Sequence, residues 1–250
     1  MDQVAQPRVR NTTVLVPLAH EHAALRRALD GRAVRIVQCG PGSEGIVRWA
    51  ESQAAMNPAT PPGLVILAGV AGSLRTSLPA GEVILARTVL GPDRQRYDST
   101  LVEELIQRGH ALPMRAGIVS GTQPVTGVSE KAALAERSGA DCVDMESARF
   151  AEAATLLGWR WLVLRAISDG AGMKLPAEIG DWVDESGRTR HGRVLKSLLR
   201  RPWILPSLVR LSTSTKLALT NLGRELGSLL EQIEAMDDVA AAAVGANGDG

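Results

Sequence analysis

Short apolar runs that end in glycine or another small residue recur along this chain, and helix-like stretches follow them. Val14-Leu15-Val16-Pro17-Leu18-Ala19 leads into Glu21 to Leu29. Ala33 to Gln38 runs into Cys39-Gly40-Pro41-Gly42 and a helix-like stretch to about Met56. Leu64-Val65-Ile66-Leu67-Ala68 runs into Gly69-Val70-Ala71-Gly72. Glu82 to Leu90, Met114 to Ser120, Cys142 to Asp144 and Arg160 to Ser168 read as further strands, the last rich in β-branched and aromatic residues. Buried strands alternating with helices predict an α/β fold around a mixed, mostly parallel sheet.

With 250 residues, 45% of them hydrophobic, the chain can bury a sizeable core in one such domain. No linker divides its middle, so a single domain over 11–235 is expected. Residues 1–10 are polar, and 236–250 are rich in alanine, glycine and aspartate; both read as flexible tails. The net charge of +1, from 28 basic and 27 acidic residues, argues against general nucleic-acid binding. Two cysteines, Cys39 and Cys142, are too few for a disulfide scaffold and read as small buried thiols. No run of about 18 apolar residues offers a membrane span, so the cytoplasm is the expected compartment.

In sheets of this kind ligands collect where strands end. Three acids stand at such places: Glu21 after the first strand, Glu146 after Val143-Asp144-Met145, and Asp169 after Leu164-Arg165-Ala166-Ile167-Ser168. Each also suits a plainer part, because an acid at a helix N-terminus caps it or complements its dipole. Arg165, inside an apolar strand, suits a paired structural charge equally well. Gly69-Val70-Ala71-Gly72 lacks the lysine of a P-loop and the spacing of a dinucleotide fingerprint. His20 and His22 flank Glu21, but residues two apart do not share a helix face, and no third ligand follows at a metal-like spacing. Neither a metal nor a cofactor is expected.

Taken together, these pieces resemble the methylthioadenosine/S-adenosylhomocysteine nucleosidases, within the wider purine nucleoside phosphorylase superfamily. The most specific pieces are Val143-Asp144-Met145-Glu146-Ser147-Ala148 and Arg165-Ala166-Ile167-Ser168-Asp169, supported by Gly69 to Gly72 and Ile118-Val119-Ser120-Gly121. The resemblance runs from about Val14 to Gly170 and implies a three-layer α/β/α sandwich of the nucleoside phosphorylase type. It implies cleavage of an adenosine-type N-glycosidic bond. Asp169 would protonate the purine at N7, steadied by Ser168. Met145 and Glu146 would lie under the ribose, with Glu146 accepting hydrogen bonds from its hydroxyls. Glu21 would activate the attacking water, with Arg165 near that water. Ala71 and Gly72 would lie close to sugar and base, and Val125 on the loop beside the purine. A homodimer is implied as well, the neighbouring subunit closing the 5′ side of the pocket.

The same resemblance bears on the nucleophile. Leu67 and Val70 stand where a hexameric purine phosphorylase would carry an arginine and a serine, and an apolar pair cannot satisfy a dianion. Water is the expected nucleophile and phosphate the alternative. Two residues depart from the nucleosidases, which carry serine at the Val70 position and phenylalanine at the Pro124 position. A third reading keeps the fold without the activity, as a nucleoside-binding or membrane-associated protein.

An insert at about 173–216 follows. Between Arg188 and Lys216 lie eight basic residues and no acidic one, interleaved with Val194, Leu195, Leu198, Leu199, Trp203, Ile204, Leu205, Leu208 and Val209. Pro202 and Pro206 are expected to break the segment into short pieces. Such a pattern commonly marks a solvated face of helices packed on a core. It also suits peripheral contact of 188–216 with anionic lipid at the inner membrane surface, or a lid over a greasy substrate. This half resembles the hopanoid-associated phosphorylase branch, which implies a lipid-linked nucleoside, adenosylhopane, as substrate.

Overall fold

A computed structural model describes residues 11–56, 63–107, 114–121 and 123–246. Residues 1–10 and 247–250, read as tails, lie outside them. The strands are β1 (Thr12–Val16), β2 (Arg35–Gln38), β3 (Leu64–Ser73), β4 (Val83–Leu90), β5 (Arg96–Asp98), β6 (Met114–Ser120), β7 (Cys142–Asp144) and β8 (Trp161–Asp169). The helices are α1 (Ala19–Ala28), α2 (Gly42–Met56), α3 (Thr100–Gln107), α4 (Val128–Ser138), α5 (Ser147–Leu156), α6 (His191–Arg200) and α7 (Leu205–Ala246).

All eight strands form one sheet in the order β2-β1-β3-β7-β6-β4-β5, with β8 pairing both β3 and β4. Five pairings are parallel and three antiparallel, so the sheet is mixed and mostly parallel. Because β8 bridges β3 and β4, strands β3, β8, β4, β6 and β7 close into a ring. Such closure gives a central strand two hydrogen-bonded edges, and β8 is buried at every position.

Uninterrupted apolar strands feed two cores because successive side chains point to opposite faces. Val14, Val16, Leu64 and Ile66 pack with Leu25 of α1 and with Leu222, Leu226 and Leu230 of α7. Leu15, Val65 and Leu67 face the other way, against Ile46 and Trp49 of α2 and Phe150 of α5. Helices thus cover both faces of the sheet, as three layers require. Cys142 is buried, whereas Cys39 is only half-buried.

The C-terminal part differs from the sequence expectation in two ways. Pro202 does interrupt the chain, opening a 3-10 turn (Pro202–Ile204) after α6. Pro206 does not, because it falls in the first turn of α7, where its missing N–H costs no helical hydrogen bond. Residues 237–246, read as part of a tail, are helical instead: α7 continues to Ala246. Its alanine run is a strong helix former, and a helix already anchored by buried Leu229, Leu230, Ile233 and Met236 extends readily into it. Among the described residues, no helix is long and apolar enough to cross a membrane.

Candidate active site

The carboxyl ends of β1, β3, β7 and β8 meet around one cavity of about 340 Å³. Glu21, Ala71, Gly72, Val125, Met145, Glu146, Ser168 and Asp169 all line it. Arg165 does not; it lies fully buried beneath the floor, bound to acids that do reach the cavity. Pro124 and Val70 form part of the wall, while Leu67 is turned away into the sheet core.

Glu21 is both a cap and a cavity residue. It stands in the first turn of α1, where its Oε2 accepts the Leu18 N–H at 2.8 Å. Its Oε1 accepts the Val70 N–H, also at 2.8 Å, which ties α1 to β3. Burial pushes its carboxyl up to about 7, against the downward pull of Arg165 and of the two N–H donors. Each oxygen keeps a lone pair free for a further donor.

Glu146 is the N-cap residue of α5, yet its side chain does not cap that helix. Oε1 instead accepts the N–H of Gly42 at 2.8 Å, at the start of α2, and Oε2 accepts from Arg165 Nη2 at 3.2 Å. Burial raises this carboxyl, with Arg165 acting in the opposite direction. Capping of α5 falls to Asp144, whose Oδ1 accepts the Ser147 N–H at 3.2 Å and whose Oδ2 takes the Ser147 hydroxyl. Asp144 also holds Arg165 Nη2 at 2.5 Å. Burial opposes the charge on Arg165, but Asp144, Glu146 and Glu21 outweigh it and hold the guanidinium protonated.

Two glycines of β3, Gly69 and Gly72, make room for these charges. A Cβ at Gly69 would stand 2.5 Å from Arg165 Nη1 and 2.8 Å from Glu21 Oε1. A Cβ at Gly72 would stand 3.0 Å from Asp169 Oδ2. Their need is for close approach to charged side chains, a use of glycine distinct from tight turning.

Asp169 closes β8 with both oxygens engaged. Ser168 Oγ lies 2.8 Å from Oδ1 and 3.3 Å from the Ala71 carbonyl, so the carboxylate is the nearer acceptor of its one proton. Oδ2 accepts from Lys131 Nζ at 2.5 Å. Lys131 is 1% exposed and donates as well to the carbonyls of Gly170, at 3.0 Å, and Met173, at 3.2 Å. All three ammonium protons are thereby used. Lys131 escaped the reading from sequence because it lies among charged residues in Val128-Ser129-Glu130-Lys131, which looks solvated. The signal was its helical phase: Lys131 and Ala135, four apart, share the buried side of α4.

Four carboxyl groups, from Glu21, Asp144, Glu146 and Asp169, line the cavity, and among the described residues no lysine, arginine or histidine does. The compensating cations, Arg165 and Lys131, sit behind the acids they serve. Nor do three His, Cys, Asp or Glu side chains gather as a metal site among the described residues.

A larger, mainly apolar chamber of about 1100 Å³ shares Leu18, Val70, Ser168 and Asp169 with this cavity. Its far walls are Trp182, Val194 of α6, and Leu208, Leu211 and Leu219 of α7. The insert is locked to the site strand: Ser214 Oγ on α7 donates to the Ser168 carbonyl at 2.6 Å.

A family model described as the phosphorylase superfamily matches residues 1–200. A search of curated proteins finds no match. Among solved structures, a 5′-methylthioadenosine/S-adenosylhomocysteine nucleosidase from Helicobacter pylori is similar, with TM-score 0.63 and 16% identity over 90% of this chain and 99% of that one. The futalosine hydrolase of the same organism matches with TM-score 0.63 and 16% identity, covering 90% and 98%. A nucleosidase of the first kind from S. pneumoniae matches with TM-score 0.62 and 17% identity, covering 90% and 99%.

Proposed function

The chain belongs to the phosphorylase superfamily, and on that premise we propose that it hydrolyses the N-glycosidic bond of an adenosine-type nucleoside bearing a large apolar 5′ group. The observation that carries this reading is the convergence of Glu21, Glu146 and Asp169 on one cavity. Breaking the C1′–N9 bond sends its electron pair to the purine and leaves positive charge on the sugar. Glu146, beneath the sugar, stabilises that charge and takes the ribose hydroxyls on its free lone pairs. Asp169, ion-paired to Lys131 in the free protein, takes up a proton as substrate binds and gives it to N7, so adenine departs neutral. Glu21 takes a proton from water as the oxygen bonds to C1′. Glu21 then gives that proton to solvent, replacing the one that Asp169 took up, and Asp169 is left as the carboxylate it began as, which balances the cycle. Arg165, shut off from the cavity, is a positioning residue for Glu146 and Asp144. Lys131 and Ser168 hold Asp169. Met145, Ala71, Gly72 and Val125 shape the sugar and base pocket.

Water is favoured over phosphate by the charge of the lining. A phosphate dianion would meet four carboxyl groups and no cationic side chain among the described residues that line the cavity. A water molecule needs only an acceptor such as Glu21. The phosphorylase alternative rests on the superfamily as a whole, and the lining weighs against it.

The 5′ group is read from the chamber of about 1100 Å³ that joins the cavity. Adenosylhopane, with a polycyclic hydrocarbon beyond C5′, is the substrate we put forward. Each buried methylene is worth about 0.8 kcal/mol, so three more carbons on a 5′-alkylthio group should raise kcat/KM by tenfold or more. Adenine release from methylthioadenosine, from longer 5′-alkylthio analogues and from adenosylhopane tests this. A preference for methylthioadenosine over every longer analogue would remove the apolar substituent from the account. A homodimer belongs to the same proposal, and light scattering of the purified protein checks it.

The buried position of Glu21 sets a pH dependence. Its carboxyl, pushed up to about 7, loses its negative charge as pH falls through that value. Only the ionised form can accept a proton from water, so kcat/KM should fall about tenfold per pH unit below about 7. Glu21→Gln should abolish this acid limb and slow release by about 10²–10⁴-fold. A wild-type profile flat from about pH 5 to 8 would take the base role from Glu21.

A further inference from the structure

We infer that the corner formed by α6, the 3-10 turn and the start of α7 is a docking surface for a bilayer containing anionic lipid. Five large apolar side chains stand out from it: Leu195 58% exposed, Leu199 78%, Trp203 71%, Leu205 52% and Val209 57%. Leu195 and Leu199 share one side of α6, Leu205 and Val209 share one side of α7, and Trp203 lies in the turn between them. A patch of this kind is rarely left to water.

Its charge names the partner. Eight basic residues and no acidic one lie between Arg188 and Lys216, while the whole chain carries only +1. The rest of the molecule is therefore acidic, and an anionic surface would attract this corner and repel the remainder. Arg193 and Arg201 lean on Asp181 and Glu178 at 3.9 and 2.6 Å. Lys196, Arg200 and Arg210 are exposed and directly follow Leu195, Leu199 and Val209 in the chain. Basic residues near an anionic leaflet contribute about 1 kcal/mol each, and leucine and tryptophan side chains enter the headgroup region. A second copy of the chain fits less well, because a self-complementary contact would set this basic face against itself. On their inner sides the same two helices line the apolar chamber through Val194, Leu208 and Leu211.

The test is independent of catalysis. The full chain is sedimented with vesicles of phosphatidylcholine alone and with vesicles of phosphatidylcholine and phosphatidylglycerol. Binding is expected only to the mixed vesicles, and raising salt from about 0.1 to 0.5 M should release the protein. The variant L199E/W203E should bind at least tenfold more weakly while keeping the wild-type melting temperature and adenine release, since neither residue lines the cavity or the chamber. Equal sedimentation with both vesicle types, or none with either, overturns the proposal. So does L199E/W203E turning a dimer into a monomer in vesicle-free buffer, which would make the ridge an interface between copies.

Discussion

Asp169→Asn should slow adenine release by about 10²–10⁴-fold, or about 3–5 kcal/mol at the transition state. Asparagine has the size of aspartate and keeps an acceptor for Lys131, but its amide cannot protonate N7 as a carboxylic acid does. Substrate affinity should change far less than turnover, because the cavity walls stay in place. The structure adds a consequence that the sequence alone does not suggest. Lys131 is 1% exposed and 2.5 Å from the carboxylate, so neutralising Asp169 leaves a buried ammonium with only carbonyl and amide acceptors. The variant should also lose stability, and its turnover must be measured well below its melting point. A folded Asp169→Asn protein with wild-type turnover would remove Asp169 from the proton path.

Lys131→Met should be the most destabilising single change at the site. Methionine fills the volume of the lysine stem but leaves the Asp169 carboxylate without its cation at 4% exposure. Removing one partner of a buried pair costs about 3–5 kcal/mol, chiefly from the charge left behind. For a domain of this size that corresponds to a fall of roughly 10 °C in melting temperature. The double variant Lys131→Met/Asp169→Asn removes both charges and should recover more than half of the loss. A double-mutant cycle from thermal melts measures the coupling. Simple additivity of the two losses would mean that the pair does not matter to the fold.

The strands that carry the site were legible in the sequence because apolar runs bounded by glycine leave few other foldings. The short strand β5 was not, since Arg96-Tyr97-Asp98 is polar and gains its pairing only from the edge of β4. Closure of β3, β8, β4, β6 and β7 into a ring was equally hidden, because it depends on which distant strands β8 joins. Among candidate residues, acids at strand ends stood out by position, and Glu21, Glu146 and Asp169 do meet at one cavity. What sequence cannot display is how each charge is compensated. Arg165 suited either a place near the nucleophile or a paired structural charge, and the coordinates show its Nη2 bound to Asp144 and Glu146 below the floor. Lys131 resembled a solvated helix charge, although tertiary packing draws it under Asp169. Asp144 was visible as part of a motif, but its dual hold on α5 and Arg165 needed coordinates.

Adenine release from a 5′-substituted adenosine in phosphate-free buffer, repeated with phosphate added, probes the acid-lined site most directly. Equal rates in both buffers, with a free reducing sugar as co-product, are the expected result. Release only with phosphate, yielding a sugar 1-phosphate, would contradict the account, and so would no release from any adenosine derivative by folded protein.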